Sequence, residues 1–175
     1  MSARSVTDAA PAGERVLDPA QRLEHARGVA WRALNRRDHT DAELRGVLAA
    51  KRVNPEDIQQ VMTELSDGGF VDDASFARRF AQDRRRLDAW GADRIARRLR
   101  ALGVAPDHVA AALLEQDEET ELEAALALLR RRVPDAPTTT RERDRALGIL
   151  VRKGYDLELA RAALRRHAGF EESFD

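Results

Sequence analysis

Residues 76–104 hold nine arginines (Arg78, Arg79, Arg84, Arg85, Arg86, Arg94, Arg97, Arg98 and Arg100) against three aspartates (Asp83, Asp88 and Asp93), a local charge of +6. A guanidinium is a planar, permanently charged donor fork that matches carboxylates and phosphates. Arg94, Arg97 and Arg98 share one face if the segment is helical, by their i, i+3, i+4 spacing. Arg84, Arg85 and Arg86 close a preceding helix, where cations also complement the dipole. The chemistry on offer is electrostatic docking, on an acidic protein groove or on nucleic-acid phosphates. Arg84, Arg85, Arg86, Arg94, Arg97, Arg98 and Arg100 are therefore the candidate binding residues. The plainer alternative is a solvated helix face. Base stacking would need exposed aromatics; Trp90 is the one aromatic of this stretch expected at the surface, with Phe76 and Phe80 buried.

Other chemistry is sparse. Residues 105–123 carry seven acids and no Lys or Arg. They lack the spacing and turn glycine of a calcium loop, and a helix N-terminus attracts acids through its dipole. The four histidines (His25, His39, His108 and His167) are scattered. None pairs at the i, i+4 spacing of a helical zinc site, and none neighbours a nucleophilic serine. With no cysteine, disulfides, thiolate metal sites and cysteine nucleophiles are all excluded. Gly68-Gly69 precedes Phe70, not the Lys-Ser/Thr of a phosphate cradle. The expectation is no enzyme, no metal and no cofactor.

Composition limits what can hold these residues. Of 175 residues, 43% are hydrophobic and 35% charged, with only 5% aromatic. The apolar share can build a core. The high charge and few aromatics suit exposed amphipathic helices. Ten glycines and six prolines are too few for a loop-rich β fold. No apolar run approaches the roughly 20 residues of a membrane helix, and MSARSVTDAAPAGER has no secretory h-region. A cytoplasmic protein is expected, with residues 1–17 as a disordered tail.

Helix signals then follow one another. Asp18, Pro19 and Gln21 start the first, with Leu23, Ala26, Ala30, Trp31 and Leu34 on its apolar stripe. Thr40 and Glu43 box the second; Asn54-Pro55 starts the third; Gly68-Gly69 ends it. Asp72 and Asp73 can cap a fourth, holding Phe76, Ala77, Phe80 and Leu87 inward. A fifth runs from about Ala92 to Leu102, where Gly103 closes it. Pro106 opens a sixth with Val109, Leu113 and Leu114; a seventh carries Leu122, Ala125, Leu126 and Leu129. Thr139 and Glu142 box an eighth, and Gly154-Tyr155 separates it from a ninth.

Apolar positions recur at an offset of 51. Leu48, Leu99 and Leu150 correspond, as do Val53, Val104 and Tyr155, which follow Arg52, Gly103 and Gly154. Further columns are Ile58, Val109 and Ala160; Val61, Ala112 and Ala163; and Met62, Leu113 and Leu164. The fold class is all-α, as three tandem three-helix repeats (18–71, 72–116 and 117–170) in an elongated, curved array. Units this small stabilise one another by packing on neighbours.

Three segments carry a resemblance. Arg37-Asp38-His39-Thr40-Asp41-Ala42-Glu43-Leu44 is similar to an R-D-H-S-x-x-E-L helix start. Gly69 to Ala77 (GFVDDASFA) resembles a G-hydrophobic-hydrophobic-D-D-x-x-F-A hallmark, and Arg94 to Val104 resembles R-I-x-x-x-L-x-x-K-G-hydrophobic. The family they resemble is RecX, over residues 22 to about 168. Leu102 stands where that pattern has a basic residue, and the third repeat has a longer loop at Thr138–Thr140. The resemblance implies a regulator that binds the RecA recombinase filament on single-stranded DNA and inhibits its ATPase, strand exchange and coprotease activities, so modulating recombination and the SOS response. Asp72, Asp73 and Phe76 of the hallmark are expected to serve folding: a cap and a core contact. A weak direct contact with single- or double-stranded DNA and a monomeric state complete the expectation. The rival from another class is a helix-turn-helix transcription regulator, opposed by the lack of one privileged recognition helix.

Overall fold

The computed structural model describes residues 18–169, so the tail expected over 1–17 lies outside the described residues. Among these residues the chain is all-α, with nine helices: α1 (Pro19–Leu34), α2 (Asp41–Ala50), α3 (Pro55–Asp67), α4 (Asp73–Asp88), α5 (Ala92–Ala101), α6 (Pro106–Leu114), α7 (Glu118–Arg132), α8 (Thr140–Lys153) and α9 (Leu157–His167). Local chemistry sets their ends. Asp18, Thr40 and Thr139 each accept from the N3 backbone N–H, while Gln21, Glu43 and Glu142 return the bond to the cap backbone. Pro19, Pro55 and Pro106 occupy first turns, where a missing N–H costs nothing.

Helices pack chiefly within triplets. Ala26, Val29 and Ala30 of α1 meet Leu44, Leu48, Val61 and Met62 of α2 and α3. Ala77 and Ala81 of α4 meet Ile95, Leu99, Val109 and Ala112 of α5 and α6. Ala125, Leu128 and Leu129 of α7 meet Ala146, Leu150, Ala160 and Ala163 of α8 and α9. The offset-51 columns lie in these cores: Leu48, Leu99 and Leu150 are fully buried, and Val53, Val104 and Tyr155 nearly so. Arg52, Gly103 and Gly154, immediately before that second column, all adopt positive φ.

The joints between units repeat as well. At the first, Thr40 Oγ1 donates to the Leu102 carbonyl (2.6 Å), and the Asp73 carboxylate accepts from the Asp41 N–H (2.9 Å). The start of α2 thus abuts the end of α5. At the second, Gly91 N–H donates to the Lys153 carbonyl and Asp93 N–H to the Gly154 carbonyl, both at 3.0 Å. There Glu121 accepts from the Ala92 N–H (2.7 Å). The start of α5 thus abuts the end of α8. Each joint brings a helix's positive N-terminal end to another's negative C-terminal end, with a carboxylate from the next helix triplet over the exposed N–H.

Some side chains sit otherwise than their helical spacing suggests. Leu87 and Leu114, expected inward, are 66% and 83% exposed. Both lie in the last turn of a helix. Trp31 lies at the rim of the first core and pairs edge-on with the exposed Phe70 at 4.7 Å.

Candidate partner interface

The arginine-rich segment spans α4, the turn after it and α5. The chain leaves α4 through Ala89 in the left-handed region, which swings Trp90 back against the second core. Trp90 is half-buried, not surface-exposed, and Phe76 and Phe80 are half-buried, not fully buried. The reason is a shared layer: Phe76 stacks on Phe80 (6.1 Å) and Phe80 meets Trp90 edge-on (6.3 Å).

That layer takes up two of the seven candidate arginines. The Arg84 guanidinium lies 5.2 Å from the Phe80 ring and 5.6 Å from Trp90, and bonds Asp88 at 2.6 Å. Arg94 also covers Trp90, at 4.3 Å, and donates to the Arg152 carbonyl in the third unit at 3.1 Å. Arg85 reaches the Ala112 and Leu113 carbonyls at the end of α6. Burial lowers its pKa below the ordinary guanidinium value. It serves as a C-terminal cap.

The remaining four face solvent. Arg86 has only a loose contact with Asp83 at 3.7 Å. On α5, Ile95, Ala96 and Leu99 are buried, which turns Arg97, Arg98 and Arg100 outward. Arg97 bonds the Asp93 carbonyl of its own helix (3.3 Å). Arg98 and Arg100 have no hydrogen bond or ion pair within the described residues. The run of seven therefore separates into three that hold the fold (Arg84, Arg85 and Arg94) and four that present charge. Several arginines elsewhere on the surface are paired, as Arg27 with Glu64, Arg37 with Glu43 and Arg79 with Asp38.

The acidic hallmark sits beside the first joint. Asp72 caps α4 by accepting from Ser75 N–H (2.9 Å) and Ser75 Oγ (2.7 Å). These bonds hold its carboxyl below the usual range. Asp73 carries the inter-unit bond to Asp41, and burial pushes its pKa up. No group of three or more His, Asp or Glu among the described residues could hold a metal ion, and no described helix is long and apolar enough to cross a membrane.

Counting charge over 76–104 misses a second cationic surface. Arg145, Ile149 and Arg152 follow one another on α8 at i, i+4, i+7, and they line a cleft with Arg94. The signal was available in the sequence: α8 carries Arg141, Arg143, Arg145, Arg152 and Lys153 against Glu142 and Asp144, and the i, i+4, i+7 spacing puts two of them on one face.

With this geometry in view, comparison with known proteins is decisive. Two family models match, described as the first and second three-helix domains of RecX, over residues 26–65 and 72–113. A regulatory protein RecX of Mycolicibacterium smegmatis is 33% identical over 157 residues, covering 86% of this chain and 83% of its own. The chain belongs to the RecX family. The RecX of Mycobacterium tuberculosis is 36% identical over 148 residues, covering 81% of this chain and 84% of its own. A crystal structure of RecX from Lactobacillus salivarius superposes with a TM-score of 0.77 at 16% identity, over 85% of this chain and 97% of that one. At that identity the likeness speaks for the RecX fold alone. Both matched domains meet at the first joint: the 26–65 match contains Thr40 and Asp41, and the 72–113 match contains Asp73 and Leu102.

Proposed function

We propose that this member of a regulatory family is a non-enzymatic, monomeric, cytoplasmic protein that binds RecA and its filament on single-stranded DNA. It inhibits the filament's ATPase, strand-exchange and coprotease activities by occupying the groove, and so restrains recombination and the SOS response. The observation that carries the reading is the outer face of α5, in a family of regulators. Arg97, Arg98 and Arg100 stand there without a carboxylate partner. Guanidiniums left unpaired on a rigid helix keep their charge and donors for an incoming carboxylate or phosphate. Such charges act mainly on encounter rate and salt dependence. An end-to-end helical array supplies the long surface that a filament groove requires.

The test is RecA's single-stranded-DNA-dependent ATPase with DNA in excess. Wild-type protein is expected to inhibit well below one molecule per RecA protomer. Reversing Arg97, Arg98 and Arg100 to Glu, with Arg94 kept for its joint contacts, is expected to raise the concentration needed by about tenfold or more and to flatten its salt dependence. Unchanged inhibition in the triple variant sinks the role of this face. Inhibition only at concentrations that coat the DNA would make the protein a DNA competitor.

A further inference from the structure

A cleft of about 750 Å³ opens between the α7–α8 loop and the outer face of α8. Its size falls in the roughly 300–1,000 Å³ range of small-ligand and short-peptide clefts. The floor is aliphatic: Leu128, Val133, Ala146 and Ile149. The wall is cationic. Arg94 and Lys153 stand at the second joint, each already donating to a backbone carbonyl, of Arg152 and Asp88 respectively. Arg132, Arg145 and Arg152 complete it, all exposed and without an ion pair in the described residues. Two acids share the lining. Glu142 is committed to the Thr138 and Thr139 N–H groups at the start of α8, which leaves Asp135 as the one carboxylate facing three unpaired guanidiniums.

We propose that this cleft binds an acidic peptide segment of a protein partner, one whose carboxylates alternate with aliphatic side chains. Carboxylates meet Arg132, Arg145 and Arg152, while an aliphatic side chain rests on the part-exposed Val133 and Ile149. The lining decides between anions. A single-stranded nucleic acid would bring phosphates and bases, and bases need an aromatic platform; no aromatic lines this cleft. A peptide of acids and leucines satisfies both wall and floor. The cleft lies one joint away from the outer face of α5, with Arg94 belonging to both the joint and the wall. The inference does not rest on RecA being the partner, and its test contains none.

The probe is a fluorescein-labelled peptide, (Glu-Leu-Glu)4, titrated with the full chain and read by anisotropy. Two companions of similar charge, (Glu-Gly-Glu)4 and oligo(dT), are run beside it. The leucine peptide is expected to bind, the glycine peptide clearly more weakly. The R145E/R152E variant is expected to weaken the leucine peptide by about tenfold or more, and R98E on α5 to leave it unchanged. Both variants replace exposed, unpaired side chains, and an unaltered thermal midpoint shows that they fold. Equal binding of both peptides would reduce the site to unspecific charge attraction and overturn the proposal. So would oligo(dT) binding that R145E/R152E abolishes. Peptide binding only by a chain shortened at Gly169 would assign the cleft to residues 170–175 (Phe-Glu-Glu-Ser-Phe-Asp), and overturn the partner reading.

Discussion

Single carboxylates do two opposed jobs in this molecule, and acid separates them. Glu43, Asp72, Asp117, Glu142 and Asp156 accept bonds at helix starts or from a neighbouring guanidinium, and each is held below its ordinary pKa of 3.8 or 4.5. A carboxyl with a depressed folded pKa binds fewer protons folded than unfolded. Its stabilisation is present above the unfolded value and is lost as pH falls through the folded one. Asp73 runs the other way, because burial raises it, so its protonation slightly favours the fold. Five groups outweigh one. The thermal midpoint is expected to stay level from neutral pH to about 5 and to fall steeply below about 4, where the caps protonate. A midpoint that holds level to pH 3 would show that the caps contribute little. The caps were legible in the sequence because each uses neighbours within three residues. The sorting of the arginines was not. Helical spacing already sets Phe80 one turn before Arg84, but only the fold adds Trp90 to that layer and leaves Arg97 facing water.

Two separate demands on the backbone explain why one repeat position holds Arg, Gly and Gly. Arg52, Gly103 and Gly154 end α2, α5 and α8 with φ of 58°, 82° and 90°. A left-handed residue closes a helix at a cost of about 1–2 kcal/mol if it carries a Cβ. That demand alone tolerates Arg52, whose end of α2 meets no further unit. Gly154 answers to a second demand: a Cβ there would overlap the Cβ and backbone N of Arg94 at the start of α5. Gly103 likewise faces the Cβ of Ala42. Gly154→Ala is therefore expected to cost about 2–4 kcal/mol, strain plus overlap against backbone. It is also expected to split one melting transition into two as the third unit uncouples. Arg52→Gly, at the equivalent position, is expected to stay within about 1 kcal/mol of wild type, since relief of strain offsets the added freedom of the unfolded chain. Calorimetry of the two variants checks both; equal losses would refute the joint as the reason. The helix stop at Gly154 was readable locally. Its partner Arg94 lies in another unit, so the joint was visible only as the unexplained constancy of the 51-residue offset.

At the scale of the whole molecule, the two joints are built alike and fastened unequally. The first rests on the bonds from Thr40 and Asp41, on a surface where Ala42 and Gly103 remain exposed. An exposed Arg79–Asp38 pair adds to it, and such pairs contribute about 0–1 kcal/mol. The second joins backbone to backbone through Gly91 and Asp93. Ala92, Arg94 and Lys153 add three more bonds, and Gly91 and Gly154 are buried. Ala89 also packs into the third core. In a linear array each unit is held only by its neighbours, so opening begins at the weaker joint. The first unit is therefore expected to swing or detach before the third, leaving units two and three as one body. Amide exchange reads this directly. The Asp41 N–H, held by one carboxylate, is expected to exchange about tenfold or more faster than the Gly91 and Asp93 N–H groups, whose opening requires parting the second joint. Asp73→Ala is expected to widen that gap by freeing Asp41 without touching Gly91. Should Asp41 prove as protected as Gly91, the array is uniformly stiff and must meet a curved partner as a rigid body; if it exchanges faster, the first unit can adjust its angle while the α5 face and the cleft keep theirs.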